Sequence, residues 1–234
     1  MFDKPEVVAF DVIETLFSLE PLRARLALTG LPAESLELWF ASVLRDGLAL
    51  SAAGAPRPFP EVAEATLRVL LAARGLARDD AAIAHVLDGF SALTAFPDVR
   101  PALQALSDAG IRVVTLTNGS SANTEALLER AELRPLVERC LSVDSVGVWK
   151  PFPQPYLFAA KACQVDPPQM ALVAVHAWDV QGASAAGLTA GWVSRREKLL
   201  HALAPPPAVV GADLIEVARG LIAGPPSQEA QGLH

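Results

Sequence analysis

The chain is predicted to be an α/β protein whose parallel sheet is covered by helices on both faces and is interrupted by an inserted helical segment. Two observations predict this architecture. In residues 1–17 and 96–222, short apolar runs alternate with stretches of helical spacing, whereas residues 18–95 show helical spacing broken only by turn signals. Strands that alternate with helices need crossover connections, and such connections build parallel sheets that are buried on both faces.

Six apolar runs are predicted to be strands, because each has the composition expected of a strand covered on both faces. In chain order they are Val7–Phe10, Ile111–Leu116, Leu141–Val143, Ala171–Val175, Thr189–Val193 and Ala208–Val210. A helix is predicted over Val99–Ala109, since Pro101 lies near its start and Gly110 follows its end.

Residues 18–95 are rich in Ala, Leu, Arg and Glu, and Leu36–Arg45 is typical of their helical spacing. Turn signals at Ala53–Pro56 and Pro58–Pro60 separate the helices. We expect this segment to form a helical cap over the edge of the sheet, although its composition also fits a plain helical subdomain. Residues 223–234 are polar and broken by prolines, so we expect a flexible tail.

The composition argues against several classes of protein. Of the 234 residues, 52% are hydrophobic and 19% are charged, which is a globular composition. The net charge of −7 and the lack of a Lys/Arg run argue against a nucleic-acid partner. No apolar stretch approaches the roughly 18–20 residues of a membrane span, and the N-terminus does not resemble a signal peptide. Two cysteines are too few for a disulfide framework. We therefore expect a cytoplasmic protein with no membrane partner.

The apolar residues of the helical segment leave the oligomeric state open. Leu38, Trp39, Phe40 and Leu44 form an apolar stripe at helical spacing. Such a stripe covers a homodimer interface in some proteins, but filling the core is its commoner fate.

Polar residues follow several of the predicted strands. Asp11 follows the first strand, Thr117 and Asn118 follow the second, and Asp179 follows the fourth. The carboxyl ends of parallel strands meet at one edge of the sheet, where open α/β folds bind their ligands. Each residue alone has an ordinary alternative, such as helix capping by Asp179, but their recurrence favours a shared site.

Two motifs carry groups that recognise anions. Thr115–Ser121 places a hydroxyl, an amide and small residues at a helix start, where backbone N–H groups and the helix dipole attract anions. Ordinary N-capping by Ser120 or Asn123 is the alternative. Lys150 lies among prolines that hold it in a defined loop, where its charge can keep Asp11 ionised and neutralise an anionic substrate.

The order of these motifs resembles that of the haloacid dehalogenase-like (HAD) hydrolase superfamily. They read Asp-x-x-x-Thr, Thr-Asn-Gly-Ser, Lys-Pro-x-Pro-x-x-Tyr and Ala-Trp-Asp, and the last two are most similar to the L-2-haloacid dehalogenase branch. The resemblance implies a Rossmann-like core in residues 1–17 and 96–222 and a helical cap in residues 18–95. It also implies an aspartate nucleophile, a covalent ester that water hydrolyses, a small anionic substrate and no cofactor.

The resemblance implies catalytic roles for five residues. Asp11 would be the nucleophile, and Thr15 would support its geometry. Lys150 would pair with Asp11, while Asp179 would hold Lys150 or position the attacking water. His176 stands where the branch has Asn, and we expect it either to act as general base on that water or simply to bond to a neighbour.

Five further residues are expected to contact the substrate. Thr117 and Asn118 would bind its carboxylate, and Tyr156 would line the site. Phe40 and Ile13 stand where the branch has Arg and Tyr. A phenyl ring supplies neither the charge nor the fork of donors of a guanidinium, so the group that replaces this arginine is an open question.

Ile13 bears on the choice of reaction. Phosphatases of the superfamily place an acid at this position to protonate the leaving alkoxide, and Ile13 cannot transfer a proton. A halide needs no proton to leave, so Ile13 favours cleavage of a carbon–halogen bond. Under the alternative of a magnesium-dependent phosphatase, Asp11 and Asp179 would be the metal ligands.

Two charged residues, Arg45 and Glu14, also bear on the comparison with this branch. Arg45 follows Phe40 by five residues, about 140° around an ideal helix, so it is a poor replacement for the missing arginine. Glu14 stands where the branch has Gly, and it would either repel an anionic substrate or point away from it.

The sequence therefore predicts a hydrolase that attacks a 2-haloacid, or another small 2-substituted carboxylic acid, with an aspartate. A strained ring beside a carboxylate is a related substrate, because Asp11 needs only a carbon that bears a leaving group. The alternatives are a magnesium-dependent phosphatase of small metabolites and a binding protein that has lost catalysis.

Overall fold

The computed structural model describes residues 3–224. Their strands, in chain order, are β1 (Val7–Phe10), β2 (Phe17–Ser18), β3 (Thr94–Ala95), β4 (Arg112–Thr117), β5 (Arg139–Ser142), β6 (Met170–Ala174), β7 (Thr189–Val193) and β8 (Val209–Gly211). Six of them form a parallel sheet in the order β5-β4-β1-β6-β7-β8, and β2 and β3 form a separate antiparallel pair.

Helices cover the sheet and fill the segment between β2 and β3. The α-helices of the described chain are α1 (Glu20–Ala27), α2 (Ser35–Ala52), α3 (Phe59–Ala73), α4 (Asp80–Asp88), α5 (Val99–Asp108), α6 (Ser121–Arg130), α7 (Pro153–Ala162), α8 (Ala177–Ala185) and α9 (Leu214–Ala223). We refer to α1–α4 as the helical segment. It interrupts the alternation of strands and helices that builds the sheet.

The position of β1 in the sheet creates the crevice for the site. Phe10, the last residue of β1, is paired with Thr115 of β4 on one side and with Val173 of β6 on the other. The strand order reverses at β1, because β4 and β5 lie on one side of it and β6 to β8 on the other. A reversal of this kind leaves a crevice at the carboxyl ends of the strands.

β1 is buried on both faces, which explains why its four residues are all apolar. Val8 and Phe10 point into a core that includes α5, α9 and the helical segment. Val7 and Ala9 point into a second core against α7 and α8. This three-layer arrangement of helices, sheet and helices confirms the predicted α/β class with a Rossmann-like parallel sheet.

Aromatic rings join the helical segment to the loop that carries Lys150. Trp149 stacks on Phe59 of α3 with a centroid separation of 5.8 Å, and its indole N–H donates to the carbonyl of Arg57 at 2.9 Å. Phe59 in turn meets Phe90 edge-on at 5.1 Å. The residue directly before Lys150 is therefore fixed by contacts outside the sheet.

The apolar stripe of α2 mostly enters the core. Trp39 and Phe40 are buried, and Leu44 is half-buried. Leu38 is 50% exposed. Most residues of this stripe therefore pack in the core, as is usual for such patterns.

The strand predictions are confirmed within two residues at each end. The short pair β2–β3 was not predicted, because two-residue strands leave no periodicity in the sequence. The predicted tail lies outside the described residues from position 225 onward, and Ala223 is the last residue of α9. No helix within residues 3–224 is long and apolar enough to cross a membrane.

We expect Gly47→Ala to destabilise the protein by roughly 1–3 kcal/mol, because a Cβ on this residue of α2 would clash with the ring of Trp149. Helix propensity alone predicts the opposite sign, a gain of about 1 kcal/mol. Urea unfolding measures the free energy, and Ala41→Gly on the exposed face of α2 calibrates the propensity. A stabilised Gly47→Ala variant would contradict the tight contact.

Candidate active site

Four elements bring three of the predicted catalytic residues and the predicted substrate-binding Asn118 to one point. Asp11 directly follows β1, and its N–H donates to the carbonyl of Val173 in β6 at 3.0 Å. Asn118 follows β4, and Asp179 lies in the first turn of α8, just after β6. Lys150 reaches the same place from the loop after β5. The motifs predicted a site at the carboxyl edge of the sheet, and the structure brings these residues together there as a candidate site.

Lys150 lies at the centre of the site and is completely buried. Its ammonium donates three hydrogen bonds: to Asp11 Oδ1 at 2.9 Å, to Asp179 Oδ2 at 2.6 Å and to the carbonyl of Leu116 at 2.9 Å. All three donors of the ammonium are therefore used. A buried cation is tolerated here because every one of its protons has an oxygen partner.

The charges of Lys150 and Asp11 stabilise each other. Burial alone would raise the pKa of Asp11, but the neighbouring charges, the Lys150 ammonium first among them, outweigh it and hold this pKa well below its usual range. Burial alone would lower the pKa of Lys150, but Asp11 and Asp179 raise it above the ordinary value. Asp11 is therefore ionised at neutral pH, which a nucleophilic carboxylate requires.

Thr15 orients the second oxygen of Asp11. The Thr15 hydroxyl donates to Asp11 Oδ2 at 2.7 Å and accepts from the N–H of Val175 at 3.2 Å. Thr15 is fully buried, so its rotamer is fixed by packing as well as by these two bonds. The carboxylate plane of Asp11 is thus held from both sides.

Asp179 holds Lys150 and is itself fully engaged. One carboxylate oxygen accepts from Lys150, and the other accepts from the Tyr156 hydroxyl at 2.6 Å. Burial first, and then the nearby charge of Asp11, raise the pKa of Asp179. The structure thus places Tyr156 behind Asp179, fully buried, and not among the residues that line the cavities beside Asp11.

The residues at this edge do not fit a magnesium site. The Lys150 ammonium already lies between the carboxylates of Asp11 and Asp179, and the remaining oxygen of Asp179 accepts from Tyr156. Within residues 3–224, no group of three or more His, Cys, Asp or Glu side chains is arranged to hold a metal ion. Mg²⁺ requires near-octahedral oxygen coordination, which this arrangement does not offer.

Thr117 and Asn118 border the site at the end of β4. Asn118 Oδ1 accepts from the N–H of Lys150 at 2.9 Å, whereas its buried Nδ2 has no partner in the described chain. The Thr117 hydroxyl accepts from the N–H of Gly119 at 2.9 Å. Ser120 caps α6 by accepting from Asn123, so the capping alternative applies to Ser120 alone.

Two adjoining cavities lie beside Asp11. The smaller, about 20 Å³, has walls from the sheet edge and from α2 and α3: Asp11, Ile13, Phe40, Leu44, Phe59, Thr117, Asn118, Gly119, His176 and Trp178. The larger, about 310 Å³, shares Ile13, Phe59, Thr117 and Gly119 with it. Among residues 3–224, no Arg or Lys lines either cavity. Arg45 is exposed, pairs with Asp46 and lines neither cavity. It therefore does not replace the missing arginine, which agrees with its predicted position about 140° around the helix from Phe40.

A cavity of about 830 Å³ lies elsewhere, near Thr189 and Val209 at the amino ends of β7 and β8. It is at the edge of the sheet opposite Asp11, and Asp3 is the one charged residue among the described residues that line it. Its size therefore does not make it the candidate active site.

His176 and Glu14 form a second polar group at the edge of the site. The Nε2 atom of His176 lies 2.9 Å from Glu14 Oε2, and its Nδ1 atom lies 3.4 Å from Asp11 Oδ2. Glu14 Oε1 also forms an ion pair with Arg196, whose side chain is 34% exposed. The Glu14 carboxylate therefore points at His176 and Arg196 and not into the cavities beside Asp11.

Sequence reasoning missed three of these residues. Arg196 lies just beyond β7, at the same sheet edge, and that position was a usable signal. Phe59 and Trp178 also line the small cavity. Nothing in the sequence singled out Phe59, because an aromatic residue in a helix is more often core. Trp178 lies in the Ala-Trp-Asp motif, but this motif served only to establish the resemblance, and Trp178 was given no role in the site. The partnership of Glu14 with His176 spans 162 residues and leaves no local pattern.

The fold and the site together define an α/β protein that presents an ionised aspartate, held by a buried lysine and a threonine, at a sheet edge. A family model described as haloacid dehalogenase-like hydrolase matches residues 5–187. The chain belongs to this family.

Individual relatives point to one branch of the family. The chain is 29% identical to the (S)-2-haloacid dehalogenase of Pseudomonas sp. (strain YL) over 86% of its own length and 87% of the relative's. It is 33% identical to (S)-2-haloacid dehalogenase 1 of Pseudomonas sp. (strain CBS-3), but that match spans only 49% of this chain and 50% of the relative.

The structural comparison agrees with the sequence matches. A solved L-2-haloacid dehalogenase superposes with a TM-score of 0.87 and 29% identity, over 93% of this chain and 98% of that one. The resemblance to the L-2-haloacid dehalogenase branch is thereby confirmed.

We expect Lys150→Met to destabilise the fold by roughly 3–5 kcal/mol at pH 7, because it leaves two buried carboxylates without their cation. Folding lowers the pKa of Asp11, so its contribution to stability is present above its unfolded pKa of about 4 and is lost as the pH falls through lower values. In the variant, unpaired carboxyl groups resist ionisation, so the difference from wild type should shrink as the pH falls from 7 towards 4.

Urea unfolding at several pH values tests this expectation. Lys161→Met, in the last turn of α7, removes an exposed lysine and serves as the control. Equal effects of the two variants at pH 7 would contradict the central role of the buried ammonium.

Proposed function

We propose that this protein hydrolyses the bond between carbon and the leaving group in a small 2-substituted carboxylic acid, with a 2-haloacid as the simplest substrate. The observation that carries the proposal is the ionised carboxylate of Asp11, held by Lys150 and Thr15 at the wall of a small cavity. The relatives that support it are (S)-2-haloacid dehalogenases.

In the first step, an oxygen of Asp11 attacks C2 of the substrate from the side opposite the halogen. The carbon–halogen bond breaks, the halide leaves with the electron pair, and an ester links Asp11 to C2 with inversion at that carbon. Lys150 and Thr15 hold the carboxylate in one orientation, which reduces the entropy cost of reaching the reactive geometry.

In the second step, water adds to Cγ of the Asp11 ester. The developing negative charge on the carboxyl oxygen lies next to the Lys150 ammonium, 2.9 Å from Oδ1 in the free protein. A fixed cation at this point stabilises the tetrahedral intermediate. Cleavage of the ester then releases the 2-hydroxy acid and restores the carboxylate of Asp11.

Ile13 supports a leaving group that departs without a proton. This residue lines both cavities beside Asp11 and offers no acid for an alkoxide. Together with the engaged oxygens of Asp179, this leaves the magnesium-dependent phosphatase alternative without support. A metal-free reaction with halide, or with another weakly basic leaving group, fits the side chains present.

Recognition of the substrate carboxylate falls to neutral donors. Phe40 is buried near His176 and Phe59, so no guanidinium comes from this position of α2. The buried Nδ2 of Asn118 has no hydrogen-bond partner among residues 3–224, and Asn118 borders the cavity, so Nδ2 is the best-placed donor for the carboxylate. Thr117 stands beside it.

We further propose that the helical segment, within residues 18–95, acts as a cap over the core formed by residues 1–17 and 96–222. Phe40 and Leu44 of α2 and Phe59 of α3 form the wall of the cavity that faces Asp11. These apolar side chains exclude water from the reacting atoms and strengthen the interaction of Asp11 with Lys150.

The test of the proposed function is halide release from (S)-2-chloropropionate, with chloride and 2-hydroxy acid measured together. We expect turnover without added metal, and a loss of at least about 10³-fold in Asp11→Asn, which lacks the nucleophile. Asp108→Asn, which removes an exposed carboxylate at the end of α5 away from both cavities, is the control. Chloride release that survives in Asp11→Asn would refute the mechanism.

A protein that has lost catalysis would behave differently. It would bind 2-chloropropionate and gain thermal stability without releasing chloride, and the thermal shift would persist in Asp11→Asn. That outcome would favour the binding-protein alternative.

A further inference from the structure

Hydrolysis of the ester on Asp11 needs a base to accept a proton from water, and Asp179 is poorly placed to serve. Both of its carboxylate oxygens already accept hydrogen bonds, from Lys150 and from Tyr156, each at 2.6 Å. Asp179 is also completely buried and is absent from the walls of the cavities beside Asp11. Moving it to reach water would break the ion pair that orients the nucleophile.

His176 is placed where such a base must act. Its ring is 5% exposed, lines the small cavity, and stacks on Trp178 at a centroid distance of 5.3 Å. The Nδ1 atom lies 3.4 Å from Asp11 Oδ2, is buried, and has no hydrogen-bond partner in the described chain. A water molecule that attacks Cγ of Asp11 would pass within reach of this atom.

Glu14 determines which ring nitrogen carries the proton. A carboxylate only accepts hydrogen bonds, so its contact with Nε2 at 2.9 Å requires a proton on Nε2. In the neutral ring, Nδ1 is then left with the free lone pair, and it faces Asp11. The tautomer of a catalytic histidine is commonly set in this way by the partner of its other nitrogen.

The backbone of Glu14 is unusual for its residue type. It has φ of 68°, in the left-handed region that favours glycine, yet the residue is a glutamate. Holding a long side chain in this conformation costs free energy, which its two contacts offset. Arg196 pairs with the other carboxylate oxygen of Glu14 and balances its charge next to Asp11.

We infer that Glu14 is a positioning residue for the second half of the reaction, and that Arg196, Glu14 and His176 form a relay that makes His176 Nδ1 the general base. The inference rests on the proposed function. Once Asp11 is esterified, its negative charge beside Nδ1 is gone.

The proton and the electron pairs balance across the step. Nδ1 takes a proton from water as the water oxygen bonds to Cγ of Asp11, and the imidazolium then shares its other proton with Glu14. When the bond from Cγ to the substrate oxygen breaks, that oxygen takes the proton from Nδ1. The hydroxy acid leaves, and the ring returns to its neutral form. The carboxyl group of Asp11 keeps the second proton of the attacking water and releases it to solvent, because the Lys150 ammonium favours the carboxylate.

The experiment separates ester formation from ester hydrolysis. Protein is mixed with (S)-2-chloropropionate and the reaction is quenched. Intact mass spectrometry then detects the ester as an increase in protein mass equal to one substrate molecule without its chloride. We expect His176→Asn to form this adduct with one chloride per protein and to hydrolyse it about 10²–10⁴-fold more slowly than wild type. Glu14→Gln should slow hydrolysis by at least about tenfold with ester formation preserved.

Glu14→Gly separates positioning from folding. Glycine accepts φ of 68° without strain, so this variant should keep or raise the melting temperature, yet hydrolyse the ester as slowly as Glu14→Gln. The control is Glu197→Gln, which removes a nearby carboxylate that bonds to the N–H of Ala177 and not to His176. Its ester should decay at the wild-type rate.

Any of three results would overturn the relay. The first is that no adduct accumulates in His176→Asn, and the second is that ester formation in His176→Asn or Glu14→Gln falls as much as ester hydrolysis. The third is that Glu14→Gly hydrolyses the ester at the wild-type rate. Failure of the proposed function looks different, since wild type then forms no adduct and releases no chloride. Nitrogen-15 spectra of the histidine rings still decide the relay in that case. They support it if neutral His176 is protonated at Nε2 in wild type and shifts towards Nδ1 in Glu14→Gln, and they refute it if Nδ1 carries the proton in wild type.

Discussion

The site depends on one buried ammonium group. Lys150 joins Asp11, Asp179 and the carbonyl of Leu116, so it connects the ends of β1 and β4 to the first turn of α8. Its desolvation is costly, and only the full set of oxygen partners offsets that cost. The same contacts that allow the cation to be buried also keep Asp11 ionised. The stability of the fold and the ionised state of Asp11, the proposed nucleophile, therefore depend on the same contacts.

Much of this arrangement could be predicted from the sequence because it follows from local rules. Apolar runs gave the strands, and the common direction of parallel strands placed Asp11, Asn118 and Asp179 at one edge. The family and its L-2-haloacid dehalogenase branch were also predicted correctly from four motifs. The roles of the individual residues remain predictions, for which the geometry supplies the reasons.

Other features could not be predicted, since they arise from contacts between distant parts of the chain. Glu14 and His176 each looked like an isolated departure from the branch, and their pairing emerges only when β1 and β6 lie side by side. Tyr156 was expected among substrate contacts, but its hydroxyl reaches Asp179 from the buried side. The stacking of Trp149 on Phe59 likewise depends on how the helical segment packs.

The walls of the small cavity have two separate origins in the chain. The groups proposed to perform the chemistry come from strand ends, whereas Phe40, Leu44 and Phe59 come from α2 and α3. Substitutions in these helices can reshape the space around a substrate and leave the Lys150 contacts intact. Such a division lets evolution alter selectivity in small steps, without first losing a working nucleophile. Phe40 lies at the position of α2 where the resemblance implies an arginine, so it is an example of such a substitution.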